Sequence, residues 1–305
     1  MKMENKNNEI EKEDQMQSTK TELKLMLNLI FRNRLTLVGA VIVIGFIIVA
    51  LIGMIWTPLN PLATNVDNRL QPPTFSHLFG TDELGRDILS RVIAGTRYSL
   101  SVAFMVVILS VTIGTTAGLT AAWFRGKVDD IIMRIADIFL AMPQFVLAMA
   151  ISAALGPSLQ NVMLAIVAVY WPAFARLMRA QALSIKTIPY IDAARQMQAS
   201  SKRIMFKHIF PNAFPPILVY ATLEMGIAII IASSLSFLGF GAQPPTPEWG
   251  LIVASSRHYI EVAPSYTLIT GLVMVIAVLG FNLLGDGLRD ALDPRLRRIM
   301  EASGQ

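Results

Sequence analysis

Apolar residues in this chain come in long blocks, not in the alternating or 3.6-residue stripes of a soluble fold. Leu37–Trp56 and Leu100–Phe124 carry no charge, and none occurs from Ile138 to Ala175. The last run is too long for one helix and holds Gly156-Pro157-Ser158 in its middle. It therefore reads as two helices, near Ile131–Leu155 and Asn161–Met178, joined by a tight turn. Pro215–Phe240 is a fifth block, interrupted only by Glu224, and Val262–Gly285 contains a sixth. Each approaches the roughly 20 residues that cross hydrocarbon. Backbone groups in lipid must be satisfied within the segment, so helix is the expected form of each block. The pattern predicts an all-α polytopic membrane protein with about six spans. A polar tail covers residues 1–35, a membrane domain 36–290 and a second tail 291–305. The first tail mixes Lys and Glu with little that is apolar, which predicts disorder. It lacks the pattern of a cleaved leader.

Composition agrees. Hydrophobic residues make up 54% of the 305, charged residues only 15%, and mean hydropathy is +0.54. A soluble domain carries roughly a quarter charged residues. The net charge of +5 is not gathered into a basic stripe interleaved with aromatics, so nucleic acid is not an expected partner. With the N-terminus in the cytoplasm, all but five of the 26 Lys and Arg fall on the cytoplasmic side. The exceptions are Arg69, Arg86, Arg91, Arg97 and Arg257. That asymmetry predicts both termini inside. There is no Cys, and His77, His208 and His258 are far apart, so no metal cluster is expected.

Within the spans, Gly114-x-x-x-Gly118, Gly226, Gly280 and Gly285 would permit close helix approach, or are ordinary membrane composition. Pro143 is expected to kink the third span. Asp137 is expected in an interfacial ion pair near Arg134. Glu224 lies inside the fifth span, where a charge is costly. It is a candidate for the translocation path, or an acid held by hydrogen bonds at an interface. Gly80-Thr-Asp-Glu-Leu-Gly85-Arg86-Asp87 has phosphate-loop spacing but lacks the Lys and the magnesium-binding hydroxyl. ATP chemistry is not expected of it. Its charges could pair among themselves, in an outer loop spanning 57–97.

The segment 186–212 is the most informative. Pro189 suits a first helical turn, and Asp192 follows where the helix dipole favours an anion. Ala193 and Ala194 offer a face without bulk, and Ser200 or Ser201 can cap a second short helix bearing Lys202, Arg203 and Lys207. Pro211 and Pro215 are expected to end the loop. Such a pair could enter a groove on a partner protein, or lie on lipid headgroups.

Asp192-Ala193-Ala194, a spacer and Ile209-Phe210-Pro211 resemble the EAA loop of bacterial ABC importer permeases. Asp192 stands where Glu is usual and Phe210 where Leu is common. Gln198 occupies the place of Gly, which removes the residue that eases a sharp turn. Phe79–Arg91, Ser236–Gly241 with Pro244–Gly250, and Asn282–Pro294 are similar to the C-type permeases of dipeptide, oligopeptide and nickel importers.

The resemblance implies a type I ABC importer permease fold in the bacterial cytoplasmic membrane, with no catalytic residue. It implies a homologous B-type permease as heterodimer partner, two ABC ATPase subunits and an extracytoplasmic binding protein. The chain itself would bind no cofactor, ATP and Mg residing on the ATPases. Asp192, Ala193, Ala194, Gln198, Ile209 and Pro211 would form the ATPase-coupling loop. The expected activity is ATP-driven peptide import. The alternatives are nickel or metallophore import, or a self-contained proton-coupled transporter.

Overall fold

The computed structural model describes residues 33–292, and the expectations placed on the two tails lie outside it except at their inner edges. Among the described residues nine helices longer than one turn follow one another: α1 Arg34–Ile55, α2 Ile88–Phe124, α3 Gly126–Leu140, α4 Gln144–Leu155, α5 Leu159–Lys186, α6 Pro189–Gln196, α7 Ser201–Phe237, α8 Trp249–Ser256 and α9 Pro264–Leu292. Five are long and apolar enough to cross a membrane. The pair α3–α4 makes a sixth span if counted as one.

The turn at Gly156 forms as expected, with Ser158 accepting a hydrogen bond from Asn161 N to cap α5. Pro143 does more than kink: α3 and α4 meet at 91°. Pro restricts the residue before it to extended conformations, so the helix stops at Leu140 and restarts at Gln144.

Other boundaries move outward, because a charge reads as a stop in the sequence and pairing removes the stop. Helix α2 begins at Ile88, not Leu100, which shortens the outer loop to residues 57–87. Arg91 is 3% exposed on that extra stretch, held by Asp82 at 3.4 Å and the Pro61 carbonyl at 3.2 Å. Helix α5 continues past Arg176 and Arg179, which pair with Asp137 and Asp129 of α3. Asp137 thus finds Arg176, not Arg134, since helix packing and not sequence proximity sets the partner.

Helices α2 and α5 form the most extensive contact, and small residues permit it. A Cβ on Gly114 would lie 2.5 Å from the Trp171 carbonyl, and one on Gly118 2.2 Å from that of Ala175. Here the Gly pair is a specific interface, with backbones in contact. A central core joins α1, α2, α4, α5, α7, α8 and α9 around Trp249, Phe281 and Ile166. A second core, around Phe174, Met178, Ile191 and Ile209, lies where α2 and α5 end and α7 begins. A third, around Ile88, Ile252 and Tyr266, lies at the opposite end.

Candidate functional site

The segment 186–212 folds as a braced elbow. Lys186 ends α5 and donates to the carbonyls of Ala122 (2.8 Å) and Trp123 (3.2 Å), satisfying groups that the C-terminus of α2 leaves unpaired. Pro189 opens α6 and Asp192 lies in its first turn. Ile191 is fully buried in the second core, and Ala194, one turn on, packs half-buried against it. Ala193 and Asp192 face outward. Asp192 pairs with Arg195 at 3.1 Å, both well exposed, so the pair adds little stability.

The chain reverses at Gln198, whose φ is +57°. The sharp turn is present although Gly is not. A left-handed non-Gly residue costs about 1–2 kcal/mol, and the flanking anchors hold it. Ser200 then caps α7 by accepting from Arg203 N at 3.3 Å.

The first turns of α7 include a π turn at Ile204–Ile209, which brings Ile204 and Ile209 together onto the second core. Pro211, Pro215 and Pro216 do not end the segment but lie inside the helix. The wider π turn gives the Pro211 ring room against the preceding carbonyls. Asn212 Nδ2 donates to the His208 carbonyl at 2.6 Å, bracing the same turn.

The elbow thus brings Asp192, Ala193 and Gln198 to one exposed tip and turns Ala194 and Ile209 inward, with Pro211 exposed at its base. Sequence reasoning missed Ile191, the anchor, and Met197, 84% exposed at the tip. The spacing of Ile188, Ile191 and Ala194 carried the signal for the first.

Glu224 lies on α7 and is 9% exposed, next to Tyr220 on its own helix and Tyr170 on α5. Its carboxyl group faces the chain's interior and not an open surface.

At the opposite end the charges of 79–91 do pair with one another. Asp82 is fully buried and meets Arg86 at 2.6 Å, and Glu83 meets Arg86 at 3.0 Å. Asp87 caps α2 through Ser90 N at 2.8 Å and contacts His77 at 3.0 Å. Tyr266 of α9 donates to Glu83 at 2.6 Å, tying that helix to the loop. Helix α8 is seated beside this loop. Glu248 is 1% exposed and accepts from Gly250 N and Leu251 N, each at 2.9 Å, and from the Ser99 and Ser233 hydroxyls. Burial pushes its carboxyl up from the ordinary value, while the two amides pull it back.

A sequence profile described as the binding-protein-dependent transport system inner membrane component matches residues 114–298, more than half of the chain. The chain belongs to this family. The profile of the N-terminal transmembrane domain of oligopeptide transport permease C matches residues 21–73 and marks the C-type branch. Among relatives of this permease, a dipeptide transport system permease of Alkalihalophilus pseudofirmus is 46% identical over 266 residues, 87% of this chain and 88% of the relative. A glutathione transport system permease of Pectobacterium atrosepticum is 46% identical over 231 residues, 76% of this chain and 77% of the other. A probable D,D-dipeptide transport system permease of Escherichia coli is 43% identical over 265 residues, covering 86% and 88%. Of solved structures, an inward-facing methionine ABC transporter aligns with a TM-score of 0.55 at 20% identity. The match covers 66% of this chain and 96% of the other, and it shows a common fold. The permease is therefore an all-α membrane transport component of the type I ABC importer fold.

Proposed function

We propose that this permease forms half of the translocation path of an ATP-driven peptide importer, moving di- or oligopeptides across the bacterial cytoplasmic membrane. The names of its relatives support that cargo. A homologous B-type permease supplies the other half. Two ABC ATPase subunits carry ATP and Mg and do the hydrolysis, while this chain binds neither. A binding protein delivers cargo to the end holding 57–87 and α8, and both termini lie in the cytoplasm with the elbow.

The observation that carries the reading is the elbow itself. Its tip, with Asp192, Ala193, Met197 and Gln198, is exposed, while Ile191 and Ile209 are fully buried. An ATPase seated on the tip would push on a lever continuous with α5 and α7. Interiors are close-packed and transmit displacement, so closure of the ATPases would tilt both helices.

The test is Ala193→Trp in the co-expressed complex. The added ring points away from the permease core, so the permease should still insert and pair. ATPase subunits should be lost on affinity purification, or hydrolysis should proceed without uptake. Full ATPase retention with full uptake would overturn the coupling assignment.

A further inference from the structure

The Arg176–Asp137 ion pair joins α5 to α3 and lies open. Arg176 lies ten residues before Lys186, about 15 Å along α5 from the end that caps α2. That is inside a 28-residue helix long and apolar enough to cross a membrane. Yet Arg176 and its partner Asp137 are each 58% exposed by side chain, joined through one guanidinium nitrogen at 2.5 Å. The neighbouring Arg179–Asp129 pair differs on both counts. It is bidentate, at 2.5 and 2.6 Å, and its side chains are 34% and 12% exposed. Arg179 clamps α5 to α3, whereas Arg176 presents most of its donor fork to open space.

A charge that faces hydrocarbon is costly, so an exposed pair on such a helix points to water or to a protein partner. The backbone at the same place gives an independent argument. The α3–α4 break leaves Ala141, Met142 and Pro143 exposed, and α4 begins without a side-chain cap. Non-helical backbone within a membrane is tolerated only against protein or a water-filled cavity. Leu140, the last residue of α3 before the break, and Arg176 line one open groove of about 430 Å³, together with Ala173, Leu177, Ala180 and Tyr220. Its volume suits a small ligand.

We infer that this groove is the part of the path that this chain lines, and that Arg176 receives the carboxylate of a passing peptide in exchange for Asp137. The inference rests on the peptide-importer reading and names the subsite within it. A guanidinium matches a carboxylate through two parallel hydrogen bonds, and only one of its nitrogens is now engaged. Asp137 keeps the cation neutralised when the groove is empty. It also competes with the cargo, so that a peptide is held weakly enough to leave. Glu224 sits behind Tyr220 and takes no direct part.

The test uses the assembled transporter in proteoliposomes with its binding protein, and dialanine as cargo. Arg176→Gln should lower uptake about tenfold or more, the cost of a lost hydrogen bond to a charged group. Arg176→Lys should recover part of it. Asp137→Asn should lower the dialanine concentration that half-saturates uptake and slow maximal uptake, because it frees the fork and removes the competitor that aids release, with the subunits retained. If the pair only braces α3 against α5, Arg176→Gln and Asp137→Asn should fall together with loss of subunits on purification, and the inference is overturned.

The absence of cysteine permits a second readout in the otherwise unaltered chain. A sulfonated methanethiosulfonate should modify Ala173→Cys, and dialanine should slow the reaction. No modification would mean that the groove is closed by lipid or by an acidic face of the partner permease. Modification that dialanine leaves unchanged would mean that cargo does not occupy it. Either result overturns the inference while wild-type uptake stands. Absence of dialanine uptake by the wild type would instead remove the peptide reading on which the inference depends.

Discussion

Glu248→Ala removes an acid that the sequence did not single out, and its cost follows from the structure. The carboxylate accepts two backbone amides at 2.9 Å in a site 1% open to solvent. Truncation leaves the buried Gly250 N and the part-buried Leu251 N, in the first turn of α8, without acceptors. Each such group costs about 1–3 kcal/mol, so the seat of α8 should weaken by about 2–4 kcal/mol, allowing for relaxation. Hydrogen exchange at the α8 amides should then speed about 30- to 1000-fold if that helix opens locally.

The charge adds a pH dependence. The folded value lies above the ordinary 4.5, so the contribution of Glu248 is complete below that pH. It is lost as pH rises through the raised folded value, because the ionised form is the one burial penalises. Melting of the purified permease should fall across that window, and Glu248→Gln should flatten the fall. Wild-type exchange in Glu248→Ala, with an unchanged pH profile in Glu248→Gln, would refute the reasoning.

Gln198→Gly should raise thermal stability by about 1 kcal/mol, because Gly adopts φ +57° without Cβ strain; a lower melting temperature would mean the Gln side chain contributes more than the strain costs. Gly118→Leu should abolish assembly of the permease, since even its Cβ would lie 2.2 Å from the Ala175 carbonyl; normal yield and uptake would show that α2 and α5 can separate. Glu224→Gln keeps an acceptor for Tyr220 and should leave uptake within about twofold, whereas Glu224→Leu should lower stability by about 1–3 kcal/mol by stranding a buried hydroxyl. A large uptake defect in Glu224→Gln with intact assembly would return this acid to the path.

Local chemistry made much of this molecule legible. Gly156-Pro157-Ser158 announces the turn before α5. Pro189, Asp192 and Ser200 announce both parts of the elbow, because caps and first turns are written in a few adjacent residues. What escaped was tertiary. Arg91, Arg176 and Arg179 look like helix ends until their partners Asp82, Asp137 and Asp129 arrive from elsewhere in the chain. The break at Pro143 carries no charge to mark it, and a Pro within an apolar run can equally kink or divide a helix, as Pro172 inside α5 shows. Glu248 gave no local sign of burial, since its hydroxyl partners, Ser99 and Ser233, are distant in sequence. The elbow's face was half legible. Small size marks Ala193 and Ala194 alike, and only the packing of Ile191 decides that Ala194 turns inward.

The central claim is that the elbow tip is where an ATPase subunit sits and pushes. The chain has no cysteine, so Ala193→Cys places one thiol there, and Asn68→Cys provides a control at the opposite end of the molecule. In membranes holding the assembled transporter, a short thiol–amine cross-linker should join Ala193→Cys to an ATPase subunit, with a yield that changes when ATP and Mg are added. Asn68→Cys should give no such product. No cross-link to an ATPase from Ala193→Cys in a complex that retains its ATPases and its uptake would contradict the account.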